Sequence, residues 1–379
     1  MAKTLKSMIV VAFALATSLA VHADGANTAE AYRVELPVGI SPELWTYFIP
    51  KDNPLTSAKV DLGRQLFFDK RLSSDGSISC ASCHDPQKAF TDGKKTAEGV
   101  GGRTGARNSP SLLNAMFNSG QFWDGRADTL EAQAVLPLIN PLEMGDQTHQ
   151  QIVERLEKIP EYARGFREIF SSRVTIELVG KAIAAFERTL VSANSPFDRY
   201  MAGDREAMSE AALRGSIIFR TKGRCTQCHS INQAYPFFSD QIYRNTGVAA
   251  GHSHFNNLAV KAMSMDKAHT ASPKFTEISR LEGASELGRF LVTGNALDVG
   301  AFRTPSLRNV ELTAPYFHNG SAATLMDVVK FYVRGGNDNP MRAWELMAVD
   351  LSDEEQSDLV EFLKSLTSDD ARQGFSTRP

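Results

Sequence analysis

Every cysteine of this chain falls in one motif, and the motif occurs twice. The four are Cys80, Cys83, Cys225 and Cys228, each pair followed directly by histidine: Cys80-Ala-Ser-Cys83-His84 and Cys225-Thr-Gln-Cys228-His229. C-x-x-C-H is the attachment signal of c-type haem. Two thiols add across the porphyrin vinyl groups, and the adjacent imidazole reaches the iron as proximal ligand. A redox dithiol beside a chance histidine would explain one such motif, not two that use every cysteine. A zinc site would need the two pairs to close one tetrahedron. They lie 145 residues apart, each with its own histidine. The expectation is two covalent haems, one held by Cys80, Cys83 and His84, the other by Cys225, Cys228 and His229.

The N-terminus gives the address. A short basic stretch with Lys3 and Lys6 precedes an apolar run from Met8 to Ala20 and a small-residue site ending at Ala23. This is the pattern of a secretory signal peptide over residues 1–23. An uncleaved anchor is the alternative, but the run is shorter than the roughly 20 residues that span a bilayer. No other segment is apolar enough to cross one, so an exported, periplasmic protein with no membrane span is expected. The formal net charge of −3 gives no reason to expect nucleic acid as a partner. At 379 residues the chain has room for about two domains, each able to bury a core without disulfides.

The two motifs belong to longer repeats. Gly63-Arg-Gln-Leu66-Phe67 precedes the first and Gly215-Ser-Ile-Ile218-Phe219 the second. Both read as a helix leading into a haem loop. Downstream, Arg107-Asn-Ser-Pro110-Ser111-Leu112 corresponds to Arg303-Thr-Pro305-Ser306-Leu307. At equal spacing beyond each proline, Phe122-Trp123-Asp124-Gly125 faces Phe317-His318-Asn319-Gly320. The expected fold is mainly α: two cytochrome-c-like domains, 24–195 and 196–367, each with one covalent c-type haem, and a flexible tail at 368–379.

The repeat also predicts unequal irons. Fourteen residues past Trp123 and His318 lie Pro137 and Tyr332. Proline has no side-chain donor, whereas a phenol can ligate iron. The first haem is then open on its distal side and the second closed by Tyr332, with Met341 as the rival ligand. An open iron that meets peroxide needs a group to move a proton between the two oxygens. Glu143, in Pro141-Leu142-Glu143-Met144-Gly145, has the apolar surroundings that raise a carboxyl pKa. Gln133 could hydrogen-bond an oxygen ligand.

With these motifs in this order, from roughly residue 40 to 367, the chain resembles the bacterial di-haem cytochrome c peroxidases and the MauG-like enzymes of the same superfamily. The resemblance implies an N-terminal peroxide-reactive haem and a C-terminal electron-transfer haem, with Trp123 on the electron path between them. It implies Gln133 and Glu143 as the distal pair, and a calcium ion held by oxygens of Asn108, Thr313 and Pro315. Ordinary family peroxidases carry a capping histidine on the loop before the R-N-S-P motif. Here that loop, from Gly99 to Arg107, has none. They also use methionine where Tyr332 stands, so the haem chemistry resembles MauG. The aromatic that MauG carries just before its second haem motif is missing from Lys222-Gly223-Arg224. Two readings follow. One is a periplasmic peroxidase reducing hydrogen peroxide with electrons from a small cytochrome c or copper protein. The other is a MauG-like oxidase acting on Trp or Tyr of a partner protein. A non-enzymatic electron carrier is the third, and it would want both irons six-coordinate.

Elsewhere, Ile176, Val179, Ile183, Phe186 and Leu190 recur at helical spacing. Arg188 beside them is expected as a haem-propionate partner or a surface ion pair. Ser352-Asp-Glu-Glu355 is a capping box opening a helix with Leu359, Phe362 and Leu363 on its apolar face. Residues 230–293, rich in Gly, Asn, Ser and His, show little periodicity.

Overall fold

The computed structural model describes residues 30–265 and 273–375. The signal-peptide segment and His269 lie outside them. The described chain is largely helical, and its one two-stranded ladder pairs Tyr243 with Arg303 and Arg244 with Phe302, antiparallel. No helix among the described residues is long and apolar enough to cross a membrane.

Each C-x-x-C-H follows a helix that crosses a second helix from the end of its repeat. Thr56 caps Ser57–Phe68, and Ser209 caps Glu210–Arg220, each hydroxyl accepting from a first-turn amide. The first crosses Ile176–Glu187 and the second crosses Asp353–Lys364. Both crossings are built on the same glycine. A Cβ on Gly63 would overlap the Ala182 carbonyl and touch Phe186 Cβ. A Cβ on Gly215 would overlap the Asp358 carbonyl and touch Phe362 Cβ. The flanking rings repeat the geometry: Phe67 and Phe186 have centroids 5.0 Å apart at 59°, Phe219 and Phe362 4.9 Å at 59°. This fixes a register in which Ala182 corresponds to Asp358, Phe186 to Phe362 and Glu187 to Leu363.

The later parts of the repeat match as closely in the backbone. Asn114 and Asn309 take left-handed φ of 62° and 61°, and Phe122 and Phe317 of 65° and 71°. Bridges join Gln121 to Ala127 and Tyr316 to Ala322. The helix that follows differs. Leu325–Val333 runs unbroken, whereas its counterpart stops at Val135 and gives way to a 3-10 turn, Pro137–Ile139. Proline lacks the N–H that would continue the ladder and crowds the carbonyl behind it.

One hydrophobic cluster runs from Leu55 to Leu190, and a second from Phe197 to Leu366. Residues around Phe117 and Phe237, stacked at 4.3 Å, bind the two halves together. The segment that shows little periodicity in the sequence has a core of its own. Phe255, Leu258, Ala259 and Ala262 are buried one face of the helix Phe255–Met263. Their spacing is helical, but two of the four are alanines, which weakened the pattern. The tail also departs from expectation. Ser368 caps a helix at Asp369–Gln373, Ala371 is buried in the first cluster, and the Phe375 ring lies 5.5 Å from Phe90. Gly374 ends the helix, and Phe375 exchanges bonds with the first half, its N–H donating to the Pro86 carbonyl at 3.3 Å and its carbonyl accepting from Gln87 Nε2 at 3.1 Å, so the stretch up to Phe375 folds back over that half.

Candidate functional site

Both proximal histidines are prepared in the same way. Cys80–Cys83 forms one helical turn that delivers His84, whose Nδ1 lies 3.1 Å from the Phe90 carbonyl. Cys225–Gln227 forms a 3-10 turn, and His229 Nδ1 lies 2.7 Å from the Phe238 carbonyl. A carbonyl can only accept, so each ring carries its proton on Nδ1 and leaves Nε2 with a lone pair for a metal. Burial lowers the pKa of both imidazoles, which keeps them neutral. Burial also pushes the Cys83 thiol up to about 11 and Cys225 up to about 12. Redox dithiols need the opposite shift. Cys80 packs on the first cluster and Cys225 on the second, so the pairs do not meet in one zinc tetrahedron.

A cavity opens at the second motif, walled by Cys225, Cys228, His229, Phe219, Leu363 and Tyr332. Arg303 also faces it. This guanidinium is buried, and its Nη1 donates to Asn118 Oδ1 at 3.0 Å and Gln241 Oε1 at 3.3 Å. Its Nε has no partner, and no carboxylate pairs with it among the described residues. A buried cation without a counter-charge is costly. An apolar cavity with two thiols, an imidazole and an uncompensated arginine fits a haem, whose propionates would supply the missing charge.

Tyr332 stands in this wall within electrostatic reach of both cysteine sulfurs, and burial pushes its phenol up. The rival ligand is elsewhere: Met341 packs on the Phe255 cluster, and it is Met347 that borders the cavity, its sulfur accepting from Arg224 Nη1 at 3.2 Å. Trp344, 79% exposed, precedes three cavity residues, Glu345, Leu346 and Met347.

At the first motif, Pro137 occupies the position of Tyr332. Gln133 stands one helical turn before it, on the same face, at the end of a helix opened by Thr129. Glu143 is the charged group that connects this region to the cysteines, since its carboxyl is felt at the Cys83 sulfur. Burial raises the Glu143 pKa, opposed by Arg126 and by the hydrogen bond from Asn140 Nδ2 to Oε1 at 2.7 Å. The loop without a capping histidine is bonded to this same turn. Val100 N–H donates to the Glu143 carbonyl at 2.9 Å, and Arg103 Nη1 to the Pro141 carbonyl at 3.0 Å.

Trp123 bridges the halves. Its indole N–H donates to the Asn108 carbonyl at 2.9 Å, its own carbonyl accepts from Arg303 N–H at 2.9 Å, and its side chain borders the second cavity. Asn108, Thr313 and Pro315 border that cavity too. The Asn108 carbonyl is engaged by Trp123, and its Nδ2 donates to the Lys94 carbonyl at 2.9 Å, which leaves Oδ1 as its free donor to a cation. His318, the counterpart of Trp123, is buried and bonded to Glu286 Oε2 at 2.8 Å. Burial pulls the His318 pKa down to about 4 against the opposing pull of Glu286, and Arg107, 3.2 Å from the other Glu286 oxygen, adds to that, so the ring stays neutral.

Arg188 is not a surface residue, and its Nε has no partner among the described residues. It is buried in a two-pronged pair with Glu131, at 2.7 and 2.9 Å. Arg107, Arg303 and His318 stand in the repeated motifs, but nothing in the sequence marked their burial or their partners, and Glu187 and Glu286 gave no signal.

The family model for di-haem cytochrome c peroxidase matches residues 57–206. The methylamine utilization protein MauG of Methylorubrum extorquens is 38% identical over 324 residues, 85% of this chain and 82% of that protein. The cytochrome c551 peroxidase of Nitrosomonas europaea is 37% identical over 317 residues, 83% of this chain and 82% of its own length. Among solved structures, a MauG-like protein associated with microbial copper homeostasis superposes with a TM-score of 0.72 at 32% identity, covering 90% of this chain and 97% of the other.

Proposed function

Because the chain belongs to the di-haem cytochrome c peroxidase family, we propose that it is an exported enzyme that reduces hydrogen peroxide. Its electrons come one at a time from a small redox protein, a cytochrome c or a copper protein. The first haem domain covers residues 24–195 and the second 196–367. When bound, the haems supply the iron that takes up the oxidant and the store for the electrons. Cys80, Cys83 and His84 hold the first, and Cys225, Cys228 and His229 the second, with Arg303 meeting a propionate.

The observation that carries this reading is the inequality of equivalent positions: Pro137, with no donor, against Tyr332 in the wall of the second cavity. With haems bound, Pro137 would offer the first iron no side-chain donor, whereas Tyr332 would offer its oxygen to the second. At the free position Gln133 orients the peroxide by hydrogen bonding. Glu143 would take a proton from one peroxide oxygen at Oε2 and return it to the other, which leaves as water when the O–O bond breaks, the bound haems supplying the two electrons. Asn140 holds the other carboxyl oxygen and fixes the direction of Oε2. Trp123 lies on the electron path, and Asn108, Thr313 and Pro315 would offer oxygens to a calcium ion between the two halves.

A second reading is favoured by three observations. Tyr332 stands where ordinary peroxidases have methionine, the Gly99–Arg107 loop has no histidine, and Trp344 is exposed beside the second cavity. In that reading the reductant is a Trp or Tyr of a partner protein. A steady-state assay with peroxide and reduced cytochrome c separates the two. Fast turnover is expected of the peroxidase. Slow turnover, with oxidising equivalents that persist after peroxide is spent, is the result that favours the oxidase.

A further inference from the structure

Glu187 is unused by the account so far. It ends the helix Ile176–Glu187, is 4% exposed, and its Oε2 has no hydrogen-bond partner among the described residues. The repeat says what it faces. In the register set by the two glycine crossings, Glu187 corresponds to Leu363, a wall residue of the second haem cavity. The side chain at this position therefore points at the porphyrin of its own half. Cys80 agrees, because the Glu187 carboxyl is felt at its sulfur. An apolar residue in one half is thus replaced by an acid in the other.

The charges around this acid do not neutralise it. Arg188 is next in sequence, opposes the upward shift and has an Nε without a partner, but both of its terminal nitrogens are taken by Glu131, from the helix Leu130–Val135. Arg64, from the helix Ser57–Phe68, lies over the neighbouring Phe186 ring. On the helix His149–Glu157, His149 reaches Glu177, at the other end of the Glu187 helix. Once its thioether has formed, Cys80 no longer titrates. One arginine thus stands among two carboxyls, and a third charge in this apolar site would be unpaired.

Resting on the two-haem reading above, we propose that Glu187 is a neutral carboxylic acid at the edge of the first haem, and that it releases its proton when this haem is oxidised. The charge balance is simple. Oxidation of Fe(II) to Fe(III) removes one electron and adds one positive charge. The O–H bond of Glu187 breaks, the proton goes to bulk water, and the carboxylate left behind compensates that charge. Burial, the largest influence, pushes this carboxyl up to about 8, so the release falls within reach of neutral pH.

The test is a spectroelectrochemical titration of both haems of the holoprotein from pH 6 to 9, in wild type, Glu187→Gln, Glu187→Leu and Glu187→Asp. In wild type the potential of the first haem is expected to fall as pH rises, approaching one proton per electron. Glutamine and leucine stay neutral, so both variants should hold the acid-limb potential across the range, while aspartate keeps the slope. Leucine is the residue the fold already accepts at the equivalent position, which guards against misfolding. The second haem should be unchanged throughout and serves as the internal control. Redox-difference infrared spectra of wild type and Glu187→Asp, but not of the Gln and Leu variants, should show a protonated-carboxyl C=O band lost on oxidation. A flat wild-type titration, a slope that survives in Gln and Leu, or no such band would each overturn the proposal and leave the peroxidase reading standing. Fewer than two haems per chain would overturn both.

Discussion

Glu143→Gln should slow the reaction with hydrogen peroxide by about 10²-fold or more, the usual scale for losing an acid–base group. The amide keeps the size of the side chain and the contact with Asn140 but cannot take up and return a proton. The direction of the Glu143 shift adds a pH signature. Burial raises its pKa, and the form that accepts a proton is the carboxylate. The wild-type rate should therefore fall on the acid side, through a pKa above that of an ordinary glutamate, and this limb should be absent in Glu143→Gln. Stopped-flow mixing with peroxide across pH measures both. A wild-type rate in the variant removes Glu143 from the mechanism, whatever the fate of the rest.

The largest effect on stability is expected at Arg308→Ala. Arg308 reaches Asp198 through both terminal nitrogens, at 2.7 and 2.8 Å, and its Nε donates to the Pro236 carbonyl at 2.6 Å. The two side chains are 1% and 4% exposed. Asp198 opens the linker helix Pro196–Met201 and accepts from Ser195, so the pair ties the linker to the second R-T-P-S-L-R-N motif. Removing the arginine strands a buried carboxylate, which costs about 3–5 kcal/mol. The double variant Asp198→Asn/Arg308→Met should recover much of that loss, because no charge remains buried. Burial alone would raise the Asp198 pKa, but Arg308 and Ser195 bring it below its ordinary value. The stability it contributes is thus present above the unfolded-state pKa and is lost as pH falls through the lowered one. Chemical denaturation of the three proteins at neutral and acid pH measures each part.

How much of this was legible in the sequence depended on whether a feature repeats. The haem helices, the Ile176–Glu187 helix and the capping box at Ser352 were readable because cap residues and apolar periodicity are local. The equivalence of Pro137 and Tyr332 was readable because spacing survives duplication. The groups that were missed all owe their character to partners distant in the chain. Arg303 is one arginine among many until burial and the absence of a carboxylate mark it. Arg188 could not be assigned without seeing Glu131 on another helix. Glu187 sits at a position that periodicity marks as apolar, and only the register between two helix crossings matches it with Leu363 in the wall of the cavity at the second motif. The sequence pointed to Met341 as the rival ligand and missed Met347, which borders the cavity, because both lie in an irregular loop where spacing does not set direction.

The central claim is that of two covalently held haems only the N-terminal one has a free coordination position. Electron paramagnetic resonance of the fully ferric holoprotein tests it most directly. One high-spin signal, lost in a variant lacking the first attachment motif, beside one low-spin signal is the predicted result. Two low-spin signals and no high-spin iron would contradict the claim and make the chain a carrier of electrons.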